Sequence, residues 1–91
     1  MSQASKALFL DMMAAERGAS KHTLEAYARD LADMAARTPG GDLDAASTAD
    51  LETALSSLKA DGLSAATAAR RLSAVRRFYR FLLKEGRRSD D

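Results

Sequence analysis

The stretch from Ser64 to Gly86 most constrains what this chain can fold into. Between those residues lie about 21 positions without Pro or Gly, enough for roughly 32 Å of α-helix. Ser64 is a helix-capping residue, and Gly86 stands where helices commonly stop. Projected at about 100° per residue, Ala68, Leu72, Val75, Tyr79 and Leu82 gather on one side, the expected core face. Arg70, Ser73, Arg77, Arg80 and Lys84 gather opposite, with Arg71 and Arg76 at the flanks, and Phe81 projects nearer this basic side than the core. One face suits a core and the other suits a negatively charged partner.

The rest of the chain divides into three further helical segments. The first, about 4–17, carries Leu8, Phe9, Met12 and Met13 and stops at Gly18. Its apolar residues spread beyond one core face, as expected of either a loosely packed terminus or a protein-contact surface. Ser20 caps the second, about 21–38, whose stripe is Leu24, Tyr27, Ala28, Leu31, Met34 and Ala35 and which Pro39-Gly40-Gly41 ends. His22, Glu25, Arg29 and Asp33 point the other way. Backbone N–H groups around Lys21, His22 and Thr23 make a plausible phosphate seat, although Ser20 is needed as a cap in any case. In the loop 39–47, Leu43 is the expected core anchor. Thr48 is expected to cap the third helix, about 49–60, with Leu51, Leu55 and Leu58 inward. Asp61-Gly62 ends it, and Leu63 is placed to staple the next helix. Residues 87–91 lack an apolar anchor and are expected to be mobile. With no segment alternating at period two, the expected fold is an all-α, compact four-helix bundle with no sheet.

Ninety-one residues suffice for one domain. The absence of Cys excludes disulfides and thiolate metal sites, and the lone His22 makes no zinc site. No apolar run approaches the roughly 18 residues of a membrane span. No Gly-rich phosphate loop or nucleophile motif is present, and Tyr27 and Tyr79 read as core residues, so neither catalysis nor a cofactor or metal is expected. The net charge of +1 conceals a split: residues 1–63 carry 6 basic and 10 acidic side chains, and residues 64–91 carry 8 and 3. The basic half points to double-stranded DNA. A membrane surface is disfavoured, because the apolar face is needed to close the small core. An acidic protein partner and an ordinary solvated helix face remain alternatives.

A wider pattern runs through Phe9-Leu10-Asp11, Glu16-Arg17, Ser20, Thr23-Leu24, Tyr27, Asp30-Leu31, Asp50-Leu51 and the unbroken run from Arg71 to Tyr79. It resembles the N-terminal core-binding domain of tyrosine recombinases, closest to the Xer subgroup, over nearly the whole chain. The resemblance implies a SAM-like domain forming half of a C-shaped clamp on duplex DNA, with the second and fourth helices facing it. Arg70, Ser73, Arg77, Arg80 and Lys84 would then contact DNA from helix 4, and Lys21, His22, Thr23 and Arg29 from helix 2. It also implies related recombinase protomers in a tetramer on DNA, joined partly through the first helix, and chromosome dimer resolution; the absence of Cys permits the expected cytoplasmic setting. The catalytic Arg, Lys, His and Tyr of such enzymes belong to a separate C-terminal domain. Residues 1–88 are thus expected to be the non-catalytic DNA-binding domain, monomeric when isolated, and 89–91 the start of a linker.

Overall fold

The computed structural model describes residues 2–88. They form α1 (Ser2–Arg17), α2 (Lys21–Arg37), a 3-10 turn at Leu43–Ala45, α3 (Thr48–Ala60) and α4 (Ala65–Lys84), with no strand among the described residues. Serine starts three of these helices. Ser20 Oγ accepts the Thr23 N–H at 3.2 Å, and Ser64 Oγ accepts the Thr67 N–H at 3.1 Å. Such caps satisfy donors that no preceding turn can reach. At α3 the cap is Ser47, not Thr48. Ser47 Oγ accepts the Asp50 N–H at 3.1 Å, and the Asp50 carboxylate accepts the Ser47 N–H at 3.0 Å. Asp50, three residues on, supplies the reciprocal half of a capping box for Ser47.

Glycines at positive φ close α3 and α4. At Gly62 (φ +77°) the Gly62 and Leu63 N–H groups return to Lys59 O and Leu58 O. At Gly86 (φ +70°) those of Gly86 and Arg87 return to Leu83 O and Leu82 O. Both ends have the paired bonds of a Schellman turn, which needs a residue tolerant of the left-handed region. Leu63 contributes its backbone to the first of these, but its side chain is exposed, so it does not staple α4.

Phe9 of α1 is wholly buried at the centre of the core. Its ring meets Tyr27 of α2 and Phe78 and Phe81 of α4 edge-on, with centroids 6.0, 5.6 and 5.7 Å away. Met13, Leu31, Met34, Leu43, Ala54 and Leu58 complete the core, and Leu51 and Leu55 pack against it. The buried face of α4 is Ala74, Val75, Phe78, Phe81 and Leu82. That face is turned by about 80° from the expected one at 100° per residue, leaving Ala68, Leu72 and Tyr79 only partly buried. The two phenylalanines decide the orientation because they offer the largest apolar area on the helix. Phe81, expected near the basic side, is 8% exposed.

The chain beyond α4 is also anchored, contrary to its expected mobility. Arg87 Nη1 donates to Ser5 Oγ at 3.2 Å. Arg88 donates to the carbonyls of Leu43, Asp44 and Ala46, at 3.3, 3.0 and 2.6 Å, and its guanidinium lies 4.6 Å from the Tyr79 ring centre. Tyr79 Oη donates to the same Leu43 carbonyl at 2.8 Å. A side chain with five fixed N–H donors can gather several carbonyls where an apolar anchor is absent. Residues 89–91, expected to begin a linker, lie outside the described residues.

Candidate nucleic-acid interface

Turning Phe78 and Phe81 inward carries the basic residues of α4 to the edge of the core, where their stems run beside it and their charged heads reach water. Arg76, Arg77, Arg80 and Lys84 are all exposed, and none forms an ion pair among the described residues. Arg77, Arg80 and Lys84 border a groove of about 590 Å³ between α1 and α4. Arg17, Glu16 and Glu85 share its rim, and Phe9, Met12, Met13 and Phe81 line its apolar side.

Arg70 has a different setting. Its Nε and Nη2 donate to the two Asp30 oxygens at 3.1 and 2.9 Å. Asp30 also receives Arg71 Nε at 3.4 Å, and Arg71 Nη1 reaches Asp33 Oδ2 at 2.6 Å. Asp33 is further bonded to Arg37 Nε at 2.8 Å, and Arg37 Nη1 continues to Asp61 at 2.7 Å and to Ser57 Oγ at 2.8 Å. Three arginines and three aspartates therefore alternate from α4 across α2 to the end of α3. Hydrogen bonds to Asp30 hold the Arg70 guanidinium above its ordinary pKa, and those to Asp33 and Asp61 do the same for Arg37. Asp33, expected to face solvent, and Arg71, expected at the flank of the basic face, are thus members of an internal network. Asp30 follows Tyr27 by three residues, so an acid on an apolar stripe was the available signal that a cation must come to meet it.

On α2, Lys21, His22, Thr23 and Arg29 are exposed. His22 lies 3.9 Å from Glu25. The Thr23 N–H is committed to the Ser20 cap, so that donor is withdrawn from the expected phosphate seat. Thr23, Arg70 and Ser73 line one hollow of about 220 Å³ between α2 and α4. The structure therefore gathers the expected residues into two groups, Thr23–Arg70–Ser73 and Arg77–Arg80–Lys84. Lys21, His22 and Arg29 line neither hollow. Among the described residues, no group of three His, Asp or Glu side chains could hold a metal ion, and no helix is long and apolar enough to cross a membrane.

A family model for the phage integrase N-terminal SAM-like domain matches residues 7–86. The chain is 50% identical over 93 residues to a protein from Rhizobium meliloti (strain 1021) named tyrosine recombinase XerD, covering 100% of this chain and 30% of that protein. Proteins of the same name from Caulobacter vibrioides and Agrobacterium fabrum are 53% and 51% identical over 85 residues. Those matches each cover 91% of this chain and 28% and 26% of the relatives. The chain thus spans under a third of the length of these relatives. No solved structure matches it significantly.

Proposed function

The chain belongs to the phage integrase N-terminal SAM-like domain family, and from that membership we propose that it is the DNA-binding module of a site-specific tyrosine recombinase of the Xer type. The observation that carries this reading is the exposed row Arg77, Arg80 and Lys84, with Arg76 beside it, unpaired while Asp30, Asp33 and Asp61 are taken up in an internal network. Cations on one helix face release counterions from duplex DNA and give affinity that falls as salt rises. An α-helix also fits the major groove, where arginine can bond guanine edges.

In this reading α4 supplies the main contacts and the start of α2 a second set, chiefly to backbone phosphates, so that the two helices form one jaw of a clamp. Breaking and rejoining of strands falls to the remainder of the full-length protein. Related protomers assemble as a tetramer on DNA, and the α1 face that exposes Leu8 offers a contact between them. The module by itself is a monomer that supports strand exchange and chromosome dimer resolution without catalysis of its own.

Amide chemical shifts followed on adding a short mixed-sequence duplex test the assignment. Changes should cluster on the exposed face of α4 and the first turn of α2. Changes scattered without pattern, or confined to α3, would overturn it and favour an acidic protein partner for the basic face.

A further inference from the structure

Asp30 is the one fully buried acid among the described residues, at 3% exposure, and consecutive residues of α4 meet it in unlike ways. Arg71, with a side chain 16% exposed, continues to the half-buried Asp33. The Arg70 side chain is 58% exposed and ends at Asp30. An arginine carries five N–H donors in a rigid fork. Asp30 occupies one on Nε and one on Nη2, and the remaining donors of Arg70 have no acceptor among the described residues. The buried carboxylate thus fixes the guanidinium by one edge and leaves the other edge to solvent.

Arg70 borders the α2–α4 hollow, whose lining also includes the hydroxyl-bearing Thr23 of α2 and Ser73 of α4, together with Asp30 itself. Ser73 Oγ makes no hydrogen bond among the described residues. Thr23 Oγ1 accepts from Ser20 Oγ at 3.0 Å, which leaves its own hydroxyl hydrogen to give elsewhere. A cation fixed in place and two hydroxyls around one opening form a donor set suited to an anion with several oxygens. An arginine already held in one arrangement also loses less freedom on binding than a free one.

We infer that Arg70, Thr23 and Ser73 form a seat for one DNA backbone phosphate bridging α2 and α4, and that Asp30 is its positioning residue. The inference rests on the DNA-binding reading above. It assigns the buried acid a part in binding that its own charge would oppose.

That opposition supplies the test. On net charge alone, Asp30→Asn adds positive character beside the DNA face and should tighten binding. A positioning role predicts the reverse. Titrating a mixed-sequence duplex into the 91-residue chain between about 50 and 200 mM salt should give a log–log slope that falls by about 0.9 in Arg70→Ala, the loss of one phosphate contact. At low salt Asp30→Asn should weaken binding by about tenfold, as the loss of a charge-assisted contact does, yet have no further effect in the Arg70→Ala background. Arg70→Lys keeps the charge at an exposed position but loses the fork, so it secures the test should Asp30→Asn fail to fold. It should weaken binding nearly as much as Arg70→Ala.

Wild-type affinity and slope in both Arg70 variants, with salt-sensitive binding by the wild type, would overturn the seat and leave the DNA-binding reading standing. Tighter binding by folded Asp30→Asn, or an equal loss in the presence and absence of Arg70, would overturn the positioning role. Absence of any duplex binding by the wild type at low salt would overturn the underlying reading and the seat together.

Discussion

Phe81 packs edge-on against Phe9, their ring centroids 5.7 Å apart and their planes at 63°. This contact joins α4 to α1 immediately beside Arg77, Arg80 and Lys84, since all five residues line the same groove. The ring therefore holds the basic row against the core as well as filling space. Phe81→Ala should cost about 3–5 kcal/mol, the range for losing a buried aromatic side chain. Phe81→Leu should cost under about 2 kcal/mol because most of the volume is kept. Urea unfolding followed by far-ultraviolet circular dichroism reads both values.

Arg88 closes the far end of α4 onto the 3-10 turn through three carbonyls and the Tyr79 ring. Replacing it by Ala takes its donors from the Asp44 and Ala46 carbonyls, while Leu43 O keeps the Tyr79 hydroxyl, and uncovers one face of Tyr79. The expected loss is about 1–2 kcal/mol, from charged hydrogen bonds and a partly exposed cation–π contact. Faster amide exchange should appear in residues 43–46 and leave the centre of α2 unchanged. Unchanged exchange in the turn would show that the clamp contributes nothing.

Ser47 and Asp50 exchange two hydrogen bonds at the start of α3, whereas Ser20 relies on one bond to a backbone N–H and one to a hydroxyl. Ser47→Ala breaks one bond of the box and leaves the Asp50 N–H without its cap. It should lower stability by about 1 kcal/mol, as the loss of a capping hydroxyl generally does. Ser47→Asp preserves an acceptor and should recover most of that in thermal unfolding.

Most helix boundaries were legible because local chemistry sets them, the α3 cap at Ser47 excepted. Gly18, Gly62 and Gly86 accept positive φ, and Ser20 and Ser64 accept first-turn N–H groups. The facing of α4 was not. The expected core face followed Ala68, Leu72 and Tyr79 and left out both phenylalanines, although α4 packs against α1, α2 and α3 and so buries a broad arc. Phe78 and Phe81, heavier in apolar area, settle which part of that arc lies deepest. In the candidate interface, Arg77, Arg80 and Lys84 stand exposed as a period near 3.6 implies. The pairing of Arg70 with Asp30, and of Arg88 with the turn, joins residues some 40 positions apart in sequence, where periodicity carries no information.

Duplex titration of the triple variant Arg77→Ala, Arg80→Ala, Lys84→Ala tests the basic row most directly. These side chains are exposed and unpaired, so each substitution should change stability by no more than about 0.5 kcal/mol. If all three neutralise phosphates, the slope of log affinity against log salt should become shallower by about 2.7 relative to the wild type, with folding intact. A wild-type chain that binds with an appreciable salt slope, and a folded triple variant that keeps that slope, would contradict the assignment of this row to DNA.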